Sequence, residues 1–157
     1  MTEPAESGDK KGETVKLGNL ASYLLNRIAH RYNHGTHSRL KAVGLTTIAT
    51  RIIVSLKVYG ELTVKELCVH AIAEQPTMSR ALDRMEDEKL ISRQVSDKDN
   101  RVRVVRLTEQ GEAVYEKIWP VMVGANEDLL RGISEDDRAA LMRILTTILE
   151  NIRKNPF

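Results

Sequence analysis

The chain has 157 residues, 41% of them hydrophobic and 29% charged, with 24 Lys and Arg against 22 Asp and Glu and a net charge of +2. Its apolar runs fall short of the roughly 20 residues of a membrane span, "MTEPAESGDKKGETV" lacks the hydrophobic core of a leader peptide, and the lone cysteine, Cys68, excludes an intramolecular disulfide. These properties indicate a soluble cytoplasmic protein with a solvated tail over 1–15 and a single domain over 16–157; charge this near balance confines any basic surface to a local patch.

Aromatics make up only 4% of the chain, so the core is aliphatic and the packing that of helices. Leu17, Leu20, Leu24, Leu25, Ile28 and Tyr32 recur at helical spacing and predict a first helix from about Leu17 to Tyr32 or beyond, with Gly35 as a candidate end. "TTIATRIIVSLKVYG" opens with threonines able to cap and closes on Gly60, a C-terminal stop. "TVKEL" is a capping box in which Thr63 and Glu66 bond each other's amides, opening a short helix that ends near "AIAEQP". Pro76 suits the first turn of the next helix, whose buried stripe is Met78, Leu82 and Met85.

Two short strands follow, roughly Ser92–Val95 and Val102–Leu107, joined by a charged turn. Thr108 caps a long helix that Pro120 is expected to kink or disrupt and that Gly132 ends. Ser134 and Asp137 start the last helix, with Leu141, Ile144, Leu145, Ile148, Leu149 and Ile152 as a nearly continuous apolar seam. The fold class is mainly α with a small β-hairpin wing: a winged helix-turn-helix flanked by N- and C-terminal helices. Residues 46–108 form its central lobe, with 16–45 and 109–157 as the flanking helices.

Such a lobe has the parts of a DNA reader. A helix fits the major groove, and its exposed N-terminal residues reach base edges. Gln75, Thr77 and Ser79 can donate or accept, Arg80 and Arg84 can reach guanine or phosphate, and Pro76 leaves a helix N-terminus open to a phosphate. In "SDKDNRVRVVRLTEQG", Asp97, Asp99 and Asn100 are turn formers, and a carboxylate beside Arg101 would aim its guanidinium into an adjacent minor groove. Arg103 and Arg106 would add positive charge along the ribbon. Against this stands the simpler account, a hairpin and helix face charged for solubility. From Thr63 to Thr108 nine Lys and Arg meet eight Asp and Glu, so position and not net charge must carry the case.

With these residues in view, "MSRALDRMEDEKLISR" followed by "DNRVRVVRLTEQG" resembles the MarR family of bacterial transcriptional regulators, the likeness running from about Leu17 to the C-terminus. It implies a homodimer on a pseudo-palindromic, double-stranded DNA operator, usually as a repressor released by a small molecule. The recognition helix would run from Pro76 to about Lys89, with Ser79 and Arg80 on the family's Ser-Arg pair and Thr77 and Arg84 on positions that meet DNA. Asp99 and Arg101 match the wing's Asp-x-Arg, the acid bracing the arginine. Family members often have glycine where this chain has Ile72 and Lys89; a side chain at positive φ is strained, so differently shaped turns are expected there.

The final seam at Leu141, Leu145, Ile148 and Ile152 steps by four and three, as a dimer contact or an internal packing stripe would. The resemblance assigns it, with Leu20 and Leu24 of the first helix, to a dimer interface. It also implies an effector pocket between the dimer helices and the winged helix, with Tyr23, Arg27, His30 and Arg51 on segments that could line it and a phenolic or aromatic acid as a fitting ligand. "HRYNHGTH" offers a metal-responsive alternative through His30, His34 and His37, although two histidines at i, i+4 need further ligands. Cys68 reads as a packed core thiol, distant from the start of the first helix where sensing cysteines of relatives sit. No phosphate loop, nucleophile elbow or spaced Cys/His set points to an enzyme, a resident metal or a cofactor. A winged helix used only for protein–protein contact remains the other alternative.

Overall fold

Ten elements follow one another in the computed structural model, which describes residues 16–97 and 101–152; the expected N-terminal tail lies outside them. A 3-10 turn (Leu17–Asn19) leads into α1 (Ala21–Lys41), then α2 (Thr47–Tyr59), β1 (Glu61–Leu62), α3 (Val64–His70), α4 (Gln75–Asp87), β2 (Ile91–Val95), β3 (Arg103–Leu107), α5 (Glu109–Leu129) and α6 (Glu135–Ile152).

The helix starts follow the expected chemistry. Thr46 caps α2 by accepting from the Ala49 amide, and Thr63 with Glu66 forms the full capping box of α3. Those two bonds hold the Glu66 carboxyl below its usual pKa, because the Thr63 amide and hydroxyl both donate to its anionic form. Thr108 accepts from the Gly111 amide to start α5, and Ser134 from the Asp137 amide before α6. Gly60 ends α2 at φ 80°.

Two expectations give way to tertiary packing. Gly35 does not end the first helix, because Thr36 and Leu40 are buried beyond it and hold the last turns in place. Nor does Pro120 interrupt α5, which continues to Leu129 with Ile118 and Ala125 buried on either side of the proline. The strand β1 was invisible in the sequence, since two residues give no periodicity. It pairs with β3, with Glu61 opposite Arg106, and completes a three-stranded antiparallel sheet in the order β1-β3-β2.

One core serves the central region. Ile52, Ile53 and Leu56 of α2, Leu67 of α3, Met78, Leu82 and Met85 of α4, and Ile91 and Val105 of the sheet close around Ile118 of α5. Cys68 packs half-buried against its edge. Gly111 lies so close to the Leu90 carbonyl that an added Cβ would sit 2.1 Å from the oxygen, which locks the start of α5 against the root of the sheet. By contrast α6 has no buried residue and packs extensively against no other element.

The turns at Ile72 and Lys89 keep the left-handed geometry that glycine usually supplies, contrary to the expectation of altered turns. Ile72 has φ 55° and Lys89 φ 58°. Both close Schellman motifs: Ala73 donates to Cys68 and Ile72 to Val69 after α3, while Leu90 donates to Met85 and Lys89 to Glu86 after α4. A left-handed L-residue costs roughly 1–2 kcal/mol, and the paired bonds hold it there regardless. Replacing the exposed Lys89 by glycine should therefore raise unfolding stability by about 1 kcal/mol in a urea titration; a loss would show that this turn carries no strain.

Candidate nucleic-acid interface

The buried stripe of α4 sets which of its residues face outward. Met78, Leu82 and Met85 are at most 2% exposed, so Gln75, Pro76, Thr77, Ser79, Arg80 and Arg84 lie on solvent. Pro76 occupies the first turn and Glu74 at the N-cap contributes no side-chain bond, so amides at this helix end remain open toward an anion. Arg80 has no partner among the described residues. Arg84 donates to Glu88 one turn on, at 2.8 Å, which raises its pKa further by favouring the charged form.

Beside α4, β2 and β3 form the wing ribbon, and the Ser96 amide donates to the Val102 carbonyl at 2.8 Å near its tip. Asp99, expected to brace Arg101, lies outside the described residues. Arg101 is exposed at the end of the hairpin, and Arg103 is exposed with no partner among the described residues.

Arg106 departs from its expected role. It donates to Glu61 at 2.9 Å through Nε and again through Nη2, and to Asp97 at 2.6 Å. These two acids, Glu61 first, raise its pKa by favouring the charged form and offset its charge, so it joins β1 to the wing and adds no unpaired charge to the ribbon. The Ser96 hydroxyl also donates to Glu61, at 3.4 Å. Sequence reading missed this cluster because it depends on the β1–β3 register.

Arg93, also unforeseen, acts similarly on the other side. It donates to Asp83 at 2.6 Å, lies 3.4 Å from Glu86, and gives its amide to Glu86. Four of the acids in this region, Asp83, Glu86, Glu88 and Asp97, are thus matched from within to Arg84, Arg93 and Arg106. Arg80 and Arg103 are left for an external anion.

The remaining candidates fall in two places. Tyr23, Arg27 and His30 line one shallow groove on α1 together with Asn26 and Arg31, and Arg27 donates to the Tyr23 hydroxyl at 3.0 Å. Arg51 is elsewhere, bonded to Asn33 and to the Ala71 carbonyl. His30, His34 and His37 do not gather: among the described residues no set of three or more His, Cys, Asp or Glu could hold a metal ion, and His37 faces Thr47 at 3.5 Å. From Lys16 to Gly60 the chain contains seven Lys or Arg and no Asp or Glu, and two of them, Arg27 and Arg31, line this groove.

A helix presenting polar and cationic residues outward, with an arginine-bearing ribbon at its side and a helix packed behind, defines a winged helix-turn-helix DNA-binding protein. Comparison with known proteins agrees. Residues 43–101 match the model of the MarR family. A MarR-family regulator from Silicibacter pomeroyi is 36% identical with a TM-score of 0.81, the match covering 90% of this chain and 96% of that one. A second, from Silicibacter pomeroyi DSS, is 32% identical with a TM-score of 0.83, covering 92% and 97%. The HTH-type transcriptional repressor IacR of Pseudomonas putida is 28% identical over 153 residues, 95% of this chain and 92% of the relative. The chain belongs to the MarR family of transcriptional regulators.

The different states of the arginines predict different salt behaviour. Alanine at Arg80 should weaken DNA binding and reduce the slope of log K against log salt by about 1, as expected for one lost phosphate contact. Alanine at Arg106 should leave that slope unchanged, because its charge is already offset; an equal loss of slope from both would refute the internal pairing. Fluorescence anisotropy at four salt concentrations makes the comparison.

Proposed function

We propose that the protein is a dimeric repressor that reads a pseudo-palindromic operator and is released by a small anionic aromatic ligand. The observation that carries the reading is the outward face of α4: Gln75, Pro76, Thr77, Ser79 and Arg80 exposed beside Arg101 and Arg103 of the wing. On this reading α4 enters the major groove, with Ser79, Thr77 and Gln75 at base edges and Arg80 and Arg84 at guanine or phosphate. Arg101 enters the flanking minor groove. Repression is supported by the likeness to IacR, which is named as a repressor.

One winged helix makes too few contacts for useful specificity, and two held about one DNA turn apart read two half-sites. The dimer reading draws support from apolar surface that the single chain leaves open. Leu20, the N-cap of α1, is 40% exposed and Leu24 within it 44%, and Ile152 is 72% exposed on α6, where Leu141, Leu145 and Ile148 remain only half-buried. Residues about 16–45 and 109–157 then serve as dimerisation helices around a DNA-binding lobe at about 46–108. The effector reading rests on the α1 groove, where a carboxylate meets Arg27 and Arg31 and a ring meets Tyr23 and His30.

Selection from a random duplex library should enrich an inverted repeat, and footprinting on it should show protection that Arg101→Ala loses at the flanks and Arg80→Ala loses or alters within each half-site. Substituting glutamate at both Leu145 and Ile148 should yield monomers by light scattering, with operator affinity reduced at least a hundredfold. A monomer that still binds tightly would refute the interface. Aromatic carboxylates should release the duplex where the matching neutral amides do not.

A further inference from the structure

We propose that Arg51 is a positioning residue for DNA binding: its guanidinium ties Asn33 of α1 to the turn that launches the recognition helix. The inference rests on the operator-binding reading above and adds to it a route by which the placement of α1 reaches α4.

Arg51 stands half-buried on α2, between two elements that it joins. Its Nη2 donates to the Asn33 side-chain oxygen at 3.1 Å, and its Nη1 to the Ala71 carbonyl at 3.4 Å. No acid lies anywhere from Lys16 to Gly60, and both acceptors are neutral. Among the described residues the guanidinium makes no ion pair; it is held by the fork geometry that lets one planar group donate in two directions.

The Ala71 end matters because of where that carbonyl sits. Ala71 is fully buried and caps the C-terminus of α3, where helix carbonyls lose their intrahelical donors. Ile72 follows at φ 55°, a β-branched residue in a conformation that favours glycine, and α4 begins three residues later. A turn under such strain keeps its shape only while its surroundings over-determine it. The Schellman bonds supply part of that constraint, and the guanidinium supplies a bond from outside the motif.

The Asn33 end lies on α1, three residues beyond His30 and thus next to the cationic groove on the same helix. A shift of α1 along or about its axis carries Asn33 away from Arg51, and the Ala71 carbonyl then loses its outside donor or drags the turn with it. Either result changes the pitch of α4 without any contact between α1 and DNA.

The test uses the full chain and the duplex enriched by the wild type. Leucine at Arg51 and leucine at Asn33 should each weaken binding about tenfold, the size of one lost charge-assisted bond. The double variant should be no more than about twofold worse than either single, because both break the same tie, whereas independent sites add. Asn33→Asp keeps an acceptor and should bind within about twofold of the wild type. Salt slopes should be unchanged in all four, since no phosphate contact is lost.

Additive losses, an Asn33→Asp as weak as the leucine variant, or a reduced slope at Arg51 would overturn the proposal. So would Arg51→Leu binding normally and losing only release by aromatic carboxylates, which would make Arg51 a ligand contact. Should Arg51→Leu fail to fold, the leucine and aspartate variants at Asn33 still decide, by loss and by rescue. A library in which the wild type enriches nothing sinks the operator reading and the tie together; an enriched duplex that every variant binds equally sinks the tie alone.

Discussion

The rotation of α4 about its own axis governs what the protein can touch, and Met78, Leu82 and Met85 set that rotation. Their steps of four and three residues keep them on one face, and burial against α2, α3 and the sheet holds that face inward. Deleting such a side chain usually costs about 2–5 kcal/mol, so the helix has no cheap alternative rotation. Ser79 and Arg80 point outward because these three point inward. Local signals finish the job: Pro76 opens the helix, and the left-handed Lys89 turns the chain into β2.

Charge in this region is distributed by pairing. A count of acids and bases from Thr63 to Thr108 suggests an indifferent surface. In the fold, Glu88 is taken by Arg84, Asp83 and Glu86 by Arg93, and Glu61 and Asp97 by Arg106. Surface pairs of this kind contribute little stability singly. Their effect here is on the field that a phosphate would meet: these five carboxylates already face arginines, Glu74 and Asp87 do not, and Arg80 and Arg103 have no carboxylate partner among the described residues. The Glu61 cluster has a second consequence, since Glu61 is the most sheltered of these acids and fixes where the wing leaves the body.

Much of this was legible in the sequence because it is written locally. Threonine caps, the box at Thr63 and Glu66, the stop at Gly60, the α4 stripe and the hairpin each depend on residues within a turn or two of one another. The order of these elements then suffices to recognise the winged helix. What escaped is non-local. β1 is two residues long and exists only as a partner of β3; Arg106 looked like free charge because its more sheltered acceptor, Glu61, is 45 residues away; Gly35 looked like a helix end because the burial of Thr36 and Leu40 was not visible. The bonds of Arg51 escaped for the same reason, since its two neutral acceptors, on Asn33 and Ala71, are 18 and 20 residues away.

The chain is also built unevenly, and the unevenness bears on how it works. From α2 to the start of α5 it closes a single apolar core in which a small displacement anywhere costs packing everywhere. α1 is joined to this core less completely: Thr36 and Leu40 are buried, while Leu20, Leu24 and Ile28 toward its other end are exposed. Around it the connections are polar, Arg39 with Asp128, Arg51 with Asn33 and Ala71, and they are directional in a way that aliphatic contacts are not. A body joined to a helix partly by a few directional bonds responds to a shift of that helix in discrete steps, because each bond is either made or broken. A regulator needs that property, and an all-apolar junction of the same size would give a stiffer molecule with less to regulate.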